Sequence, residues 1–479
     1  MSSTPSFSAL GVPSRIVSVL AEQGIAEPFP IQADTLADTL SGRDVLGRGK
    51  TGSGKTLAFA IPVIARLAGA LSGGSRRAGH PTALILAPTR ELATQIAAVI
   101  EPLAAPYGLK TTTIFGGVSQ SRQVAALKSG VDIVVACPGR LEDLMKQRFV
   151  SLDAVEITVI DEADHMADLG FLPAVTRILA ATPSGGQRLL FSATLDNGVD
   201  KLVGRFLHNQ VLHSVDEANS PVAAMTHHIL EVTGTDGKRD LVHKLASGSG
   251  RRVLFLRTKH AAKKLARQLT DSGIPAVDLH GNLSQAARDR NLAAFGAGEV
   301  RVLVATDVAA RGVHVDDVDL VVHVDPPMEH KSYLHRSGRT ARAGKAGDVV
   351  TVVLPEQRSD VRALLRKAAI TAIPVAASAA GETIAQLVGV VAAHVTPSIR
   401  TEQAPSGRST GANAERNRAR RGGQRTGERT DARPARGDGR PARGEGRPAR
   451  GNGAPAKPLA VGGLVRMSQA GAGRRSGGR

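Results

Sequence analysis

The chain has 479 residues and a formal net charge of +18, room for two to four domains that each bury a core. Its single cysteine, Cys137, excludes an intrachain disulfide framework and points to a reducing compartment. The opening Met1-Ser2-Ser3-Thr4-Pro5-Ser6 lacks the basic and apolar blocks of a secretion signal. The most apolar region, 368–395, is broken by Pro374, Glu382 and Gln386, so a cytoplasmic protein with no membrane span is expected.

The first segment with a mechanism is Gly49-Lys50-Thr51-Gly52-Ser53-Gly54-Lys55-Thr56. It fits a loop whose backbone N–H groups wrap nucleotide phosphates. Lys55 can reach the β/γ oxygens, Thr56 offers a hydroxyl to Mg²⁺, and the helix predicted to start at Lys55 points its positive end at the same anion. Short apolar runs then alternate with helical patterns, which predicts an α/β protein with parallel sheets. The strand candidates are 82–87, 132–136, 157–161 and 188–192, then 252–256, 276–279, 301–305, 320–324 and 349–354. Polar residues follow the runs directly, at the strand ends where open parallel sheets bind ligands. Among them Asp161-Glu162, about 100 residues after the phosphate loop, suits an Mg²⁺-holding carboxylate beside one that orients or deprotonates water. Ser192 and Thr194 have no nearby base to make either a nucleophile, and a hydrogen-bonded link to the Asp164 region fits them better.

Asp216-Glu217-Ala218-Asn219-Ser220-Pro221 reads as a linker. The second half has no phosphate loop of its own and is expected to complete the first domain's site. Beyond residue 400 the apolar periodicity ends. Residues 401–479 hold 18 Lys and Arg against 6 Asp and Glu, so most of the net charge lies there. Arg433-Pro434-Ala435-Arg436-Gly437-Asp438-Gly439 recurs at 440–446 and 447–453 with Glu and then Asn at the sixth place. No aromatic residue follows Tyr333, so this tail is expected to be disordered, with a polyanion such as nucleic acid as partner.

Asp161-Glu162-Ala163-Asp164, with the other signatures in order, resembles the DEAD-box RNA helicases, and the bacterial RhlE-like members most. Those signatures are Gln32, the phosphate loop, Pro88-Thr89-Arg90-Glu91-Leu92, Gly116-Gly117, Pro138-Gly139-Arg140 and Ser192-Ala193-Thr194. The second half adds Phe255 with Thr258, Gln285 with Arg288, Thr306-Asp307, Ala310-Arg311-Gly312 and His335-Arg336-Ser337-Gly338-Arg339-Thr340-Ala341-Arg342. The resemblance covers about residues 7–355. It implies two tandem RecA-like domains, 1–212 and 226–375, joined by a linker at 213–225 and followed by a flexible extension at 376–479.

The resemblance further implies an RNA-stimulated ATPase that separates short duplexes or remodels RNA–protein complexes, with ATP and Mg²⁺ as cofactors. Lys55, Asp161, Glu162, Arg339 and Arg342 would be catalytic. Phe7, Gln32, Thr51, Gly52, Ser53, Gly54, Lys55, Thr56, Asp307, Arg339 and Arg342 would bind the nucleotide, Gln32 by reading adenine. Thr56 and Asp161 would hold Mg²⁺, largely through water. Arg90, Gly117, Arg140, Thr258, Gln285, Arg288 and Thr306 would grip the RNA backbone. Asp164, Ser192, Thr194 and His335 would couple hydrolysis to strand separation. A monomer is implied, with ribosomal precursors or RNA-decay proteins as partners. An ATP-gated RNA clamp and a DNA-directed translocase are the rival readings. Three positions depart from the family. Ile25 replaces an aromatic residue after Gly24, which predicts weaker adenine stacking. Cys137 stands where Thr is usual, and His314 where Asp is common.

Overall fold

The computed structural model describes residues 5–49, 53–71, 76–196, 198–214, 225–310, 318–341 and 346–396. Thr51, Gly52, the 216–221 linker, the run 311–314, Arg342 and the repeat-bearing tail lie outside these residues.

Seven strands build the first lobe: β1 (Val45–Arg48), β2 (Ala83–Leu86), β3 (Thr111–Ile114), β4 (Ile133–Ala136), β5 (Ile157–Asp161), β6 (Gln187–Ser192) and β7 (Val211–Ser214). Seven more build the second: β8 (Met225–Glu231), β9 (Arg252–Leu256), β10 (Ala276–Leu279), β11 (Val302–Thr306), β12 (Leu320–His323), β13 (Gly347–Val353) and β14 (Pro374–Ala376). Residues such as Ile133–Ala136 are buried along their whole length because helices cover both faces of the sheet. Odd and even positions feed different cores: Ile133 and Val135 join Phe59 and Ile96 on one side, Val134 and Ala136 join Leu144 and Met166 on the other.

The spatial orders are β3-β4-β2-β5-β6-β1-β7 and β10-β11-β9-β12-β13-β8-β14. Adding seven to each strand number of the first sheet reproduces the second, and every pairing is parallel. The lobes are one topology used twice. β8 is the counterpart of β1, and β12 the counterpart of β5, which ends on Asp161. Seven residues past β1 stands Lys55, and seven past β8 stands Lys238. Lys238 Nζ bonds Asp325 Oδ1 at 2.7 Å, just beyond β12.

This repetition corrects the expected domain limits. Residues 213 and 214 belong to β7 and Met225 to β8, so the connection is shorter than 213–225. The second lobe also continues past 375. β14 pairs with β8 as β7 pairs with β1, and the helix Glu382–Val388 buries Ile384 and Val388 in the lobe's core. The buried guanidinium of Arg252 donates to the Val388 carbonyl at 2.7 Å, and burial pulls its pKa down to about 10. Ala392 and Val395 donate backbone hydrogen bonds to Ser247 and Gly273. Two Ile/Val side chains at about 1.5–3 kcal/mol each make this segment part of the fold. A chain ending at 375 is expected to unfold at a urea midpoint well below that of a chain ending at 396. Coincident midpoints would show the segment to be dispensable.

Candidate functional site

Close packing shapes the phosphate loop. A Cβ on Gly47 would stand 2.5 Å from the ring of Phe191, its parallel-strand partner, so β1 pairs with β6 at this register only with glycine there. Gly49 donates its N–H to the Ser192 carbonyl at 3.3 Å. Gly54 has φ +88°, and a Cβ there would come 2.6 Å from both Gln32 Nε2 and Phe29 Cδ2. The buried Lys55 ammonium folds back onto the Gly49 carbonyl at 2.8 Å, a neutral partner that a phosphate would outcompete. Ser53 Oγ is buried with no hydrogen-bond partner among the described residues, and Thr56 is half-buried in the first turn of the helix Lys55–Leu71.

Two expected nucleotide contacts take other work. Phe7 is 2% exposed and packs in the first core, so it has no face for a ligand. Gln32 is 1% exposed: its Nε2 donates to the Gly54 carbonyl and its Oε1 accepts from Phe29 N–H, each at 2.9 Å. Gln32 therefore clamps the phosphate loop to the segment before it, with one N–H and one lone pair left over.

β5 delivers Asp161 and Glu162 beside this loop. Asp161 is buried, which pushes its pKa up against the pull of Lys55, and the Glu162 charge pushes the same way. A carboxylate so starved of counter-charge is a fitting ligand for Mg²⁺, with the Thr56 hydroxyl as second donor. Glu162 moves oppositely. Burial alone would raise it, but a hydrogen bond from His165 and the charges of His165, Lys55 and Arg339 hold it low. Its backbone is left-handed at φ 50°, strain that persists where the surroundings force it, and His165 Nδ1 at 3.0 Å from Glu162 Oε2 is part of that enforcement. Asp164 turns away toward β6. Its Oδ2 accepts from Thr194 N–H at 3.0 Å and Thr194 Oγ1 at 3.2 Å, while Ser192 Oγ accepts from Asp164 N–H and donates to the Thr194 carbonyl. The expected Ser–Thr–Asp link is thus present as a closed hydrogen-bonded ring.

The second lobe presents Asp307, His335 and Arg339 near Arg336 and Phe255. Both oxygens of Asp307 accept from the buried Arg336 guanidinium, one at 2.8 Å, and the carboxylate stays partly open to solvent. Arg336 also donates to the Asp325 carbonyl and lies over the Phe255 ring at 5.2 Å. Arg339 is buried, and its charge acts on Glu162 of the first lobe. The lobes meet again where Glu91 Oε1 accepts from Arg288 Nε at 2.6 Å and from Gln285 Nε2 at 3.2 Å, with Arg90 Nη1 donating to Gln285 Oε1 at 3.3 Å. Lys331 and Asp196 form a third contact at 2.9 Å.

Two family models match in tandem: DEAD/DEAH box helicase over residues 29–202 and Helicase conserved C-terminal domain over 237–344. The chain is 37% identical to "DEAD-box ATP-dependent RNA helicase 5" of Oryza sativa subsp. japonica, an alignment covering 74% of this chain and 70% of that protein. It belongs to the DEAD/DEAH box helicase family. Identity to the chloroplastic "DEAD-box ATP-dependent RNA helicase 3A" of Zea mays is 41%, over 74% of this chain and 48% of the maize protein, so the chain spans about half that relative's length. Among solved structures, S. cerevisiae Dbp5 bound to RNA and ADP BeF3 superposes with a TM-score of 0.69 at 25% identity, covering 80% of this chain and all of that one.

In this family member the expected RNA positions divide. Gly117, at φ +78°, leaves the space that the Arg90 guanidinium fills. Arg140 Nη1 is buried without a hydrogen-bond partner among the described residues, a donor awaiting an acceptor. Thr258 caps the helix Lys259–Asp271 by accepting from Ala261 N–H, and Thr306 closes β11. Gln285 and Arg288 instead join the lobes. Arg288 is buried, and its other two nitrogens reach the His280 and Ala309 carbonyls, so three of its five N–H groups are committed within the protein. Cys137 packs against the first core, and burial pushes its thiol up to about 12.

Sequence reasoning missed Glu91, His165 and Arg336. Arg336 carried a signal: it precedes Arg339 by the same three residues that separate Arg339 from Arg342. Breaking a buried ion pair strands a charge at about 3–5 kcal/mol. Glu91→Ala and Arg288→Ala are each expected to weaken nucleotide-dependent RNA binding more than tenfold, and the double variant to be little worse than either. Additive losses in a double-mutant cycle on RNA affinity would show that the pair does not act as a unit.

Proposed function

We propose that this chain is an ATP-dependent RNA helicase, binding single-stranded and duplex RNA without sequence preference and using hydrolysis to separate short duplexes. The observation that carries this reading is a phosphate loop whose Lys55 rests on the neutral Gly49 carbonyl, beside a strand end where His165 fixes Glu162 and the charge of the second lobe's buried Arg339 also acts. A phosphate held by Lys55 and the loop amides would lie where Arg339 can reach it only while the lobes are together. Mg²⁺, when bound, would neutralise charge building on the phosphates. Glu162, ionised and fixed by His165, orients and deprotonates water. Lys55 leaves the Gly49 carbonyl for the phosphates, and Arg339 and Arg342 steady the transferring group. The Asp164–Ser192–Thr194 ring lies between the carboxylates and the strand that contacts Gly49, so a shift at the phosphates is passed to β6.

RNA would be held by Arg90, Gly117 and Arg140 on one lobe and Thr258 and Thr306 on the other, through phosphates and 2′-hydroxyls. Because Glu91, Gln285 and Arg288 join the lobes beside these positions, RNA binding and closure favour each other, and ATP should tighten RNA while RNA stimulates the ATPase. The basic residues of 401–479 serve as a sequence-blind tether. A monomer in the cytoplasm, acting on ribosomal precursors or with RNA-decay proteins, is the setting we favour from composition and family resemblance.

Glu162→Gln is expected to lower RNA-stimulated ATPase by roughly 10²–10⁴ and Arg339→Ala by about 10³. Either variant turning over within threefold of the unaltered chain would end the shared-site reading. A chain ending at residue 400 is expected to keep RNA-stimulated ATPase while its RNA affinity falls less steeply with salt. An unchanged salt slope would remove the tether role.

A further inference from the structure

Ile25, at the family's usual stacking position, is aliphatic and packs against the first core. An aromatic face is nevertheless present at the mouth of the phosphate loop. Of the ten phenylalanines and two tyrosines, Phe29 alone is mostly exposed, at 59%. Exposing one such ring to water needs no explanation by itself. Its placement does.

Phe29 is fixed at its backbone. Its N–H donates to Gln32 Oε1, Pro30 follows it, and the helix Pro30–Leu40 begins there. Its ring edge lies against Gly54, whose missing side chain makes the room: a Cβ would meet Phe29 Cδ2 at 2.6 Å. The ring therefore stands beside the residues that start the phosphate-binding helix and is largely open to solvent. Gln32, expected to read the base, is buried beneath it with its amide already bonded on both sides.

We propose that Phe29 is the stacking platform for the base of the bound nucleotide in this chain, taking over from position 25. The proposal rests on the ATP reading above. An aromatic contact of this kind is sequence-tolerant, because every base has a π face. Phe29 would thus supply affinity for a base-bearing triphosphate, and the buried Gln32 would contribute less to the choice of base than the family pattern implies.

The chain contains no tryptophan, so Phe29→Trp introduces a single indole at the proposed platform. With the full chain and no RNA, ATP and ADP are expected to change that indole's emission saturably. Inorganic tripolyphosphate, which lacks a base, is expected to displace ATP while leaving the emission near its starting value. Phe29→Ala is expected to raise KM for ATP about five- to tenfold with kcat within twofold, and Phe29→Tyr to restore it, all with unchanged thermal melting. If the unaltered chain hydrolyses ATP while the indole emission and the Phe29→Ala KM both stay fixed, the platform assignment alone is overturned. If the unaltered chain neither binds nor hydrolyses ATP, the ATP reading fails and the platform falls with it.

Discussion

The constraint on which the structure turns is charge taken out of water. Asp161 and Glu162 sit side by side in a desolvated strand end, and neither would stay ionised there unaided. Their environments push them apart. Glu162 receives His165 from its own helix, Lys55 from the phosphate loop and Arg339 from the other lobe, whereas Asp161 is left short of positive charge. A divalent cation suits the second carboxylate and a water molecule the first. Because one of the stabilising cations belongs to the second lobe, the electrostatics of the pair depend on how the lobes meet.

That dependence explains why so many of the remaining polar contacts bridge the lobes. Glu91 with Arg288 and Gln285, and Lys331 with Asp196, hold the second sheet against the first near the same strand ends. The Arg288–Glu91 pair is buried, so its geometry is demanding and its loss costly, whereas the Asp196 end of the other contact is open to solvent and contributes little by itself. Arg339 donates its backbone N–H to the Arg336 carbonyl, and the Arg336 side chain is itself fixed by Asp307, the Asp325 carbonyl and the Phe255 ring.

Much of this was legible in the sequence where the physics is local. The phosphate loop, the Asp161–Glu162 strand end and the Ser192–Thr194 link to Asp164 depend on short segments whose spacing fixes their geometry. Strands such as Ile157–Asp161 and Arg252–Leu256 were marked to the residue because burial along their whole length demands nearly continuous apolar runs. The strands that escaped are mostly short or at an edge: Thr111–Ile114 is half-buried and threonine-rich, and Pro374–Ala376 is three residues long. Side-chain roles set by distant partners escaped too. Nothing near Arg288 announces Glu91, nearly two hundred positions away. Nothing near Asp307 shows that Arg336 will take both its oxygens, and only the fold seals Phe7 inside.

The ion pair between Lys238 and Asp325 acquires meaning from the seven-strand repetition. Lys238 stands as far beyond β8 as Lys55 stands beyond β1, though inside the helix Gly234–Ala246 where Lys55 opens one, and Asp325 follows the strand equivalent to the one bearing Asp161. In one copy of the duplicated topology the ammonium waits on a neutral carbonyl; in the other it has been neutralised permanently by a carboxylate of the same copy. Of these two ammonium groups, only the one in the first lobe can exchange its partner for an anion without stranding a carboxylate.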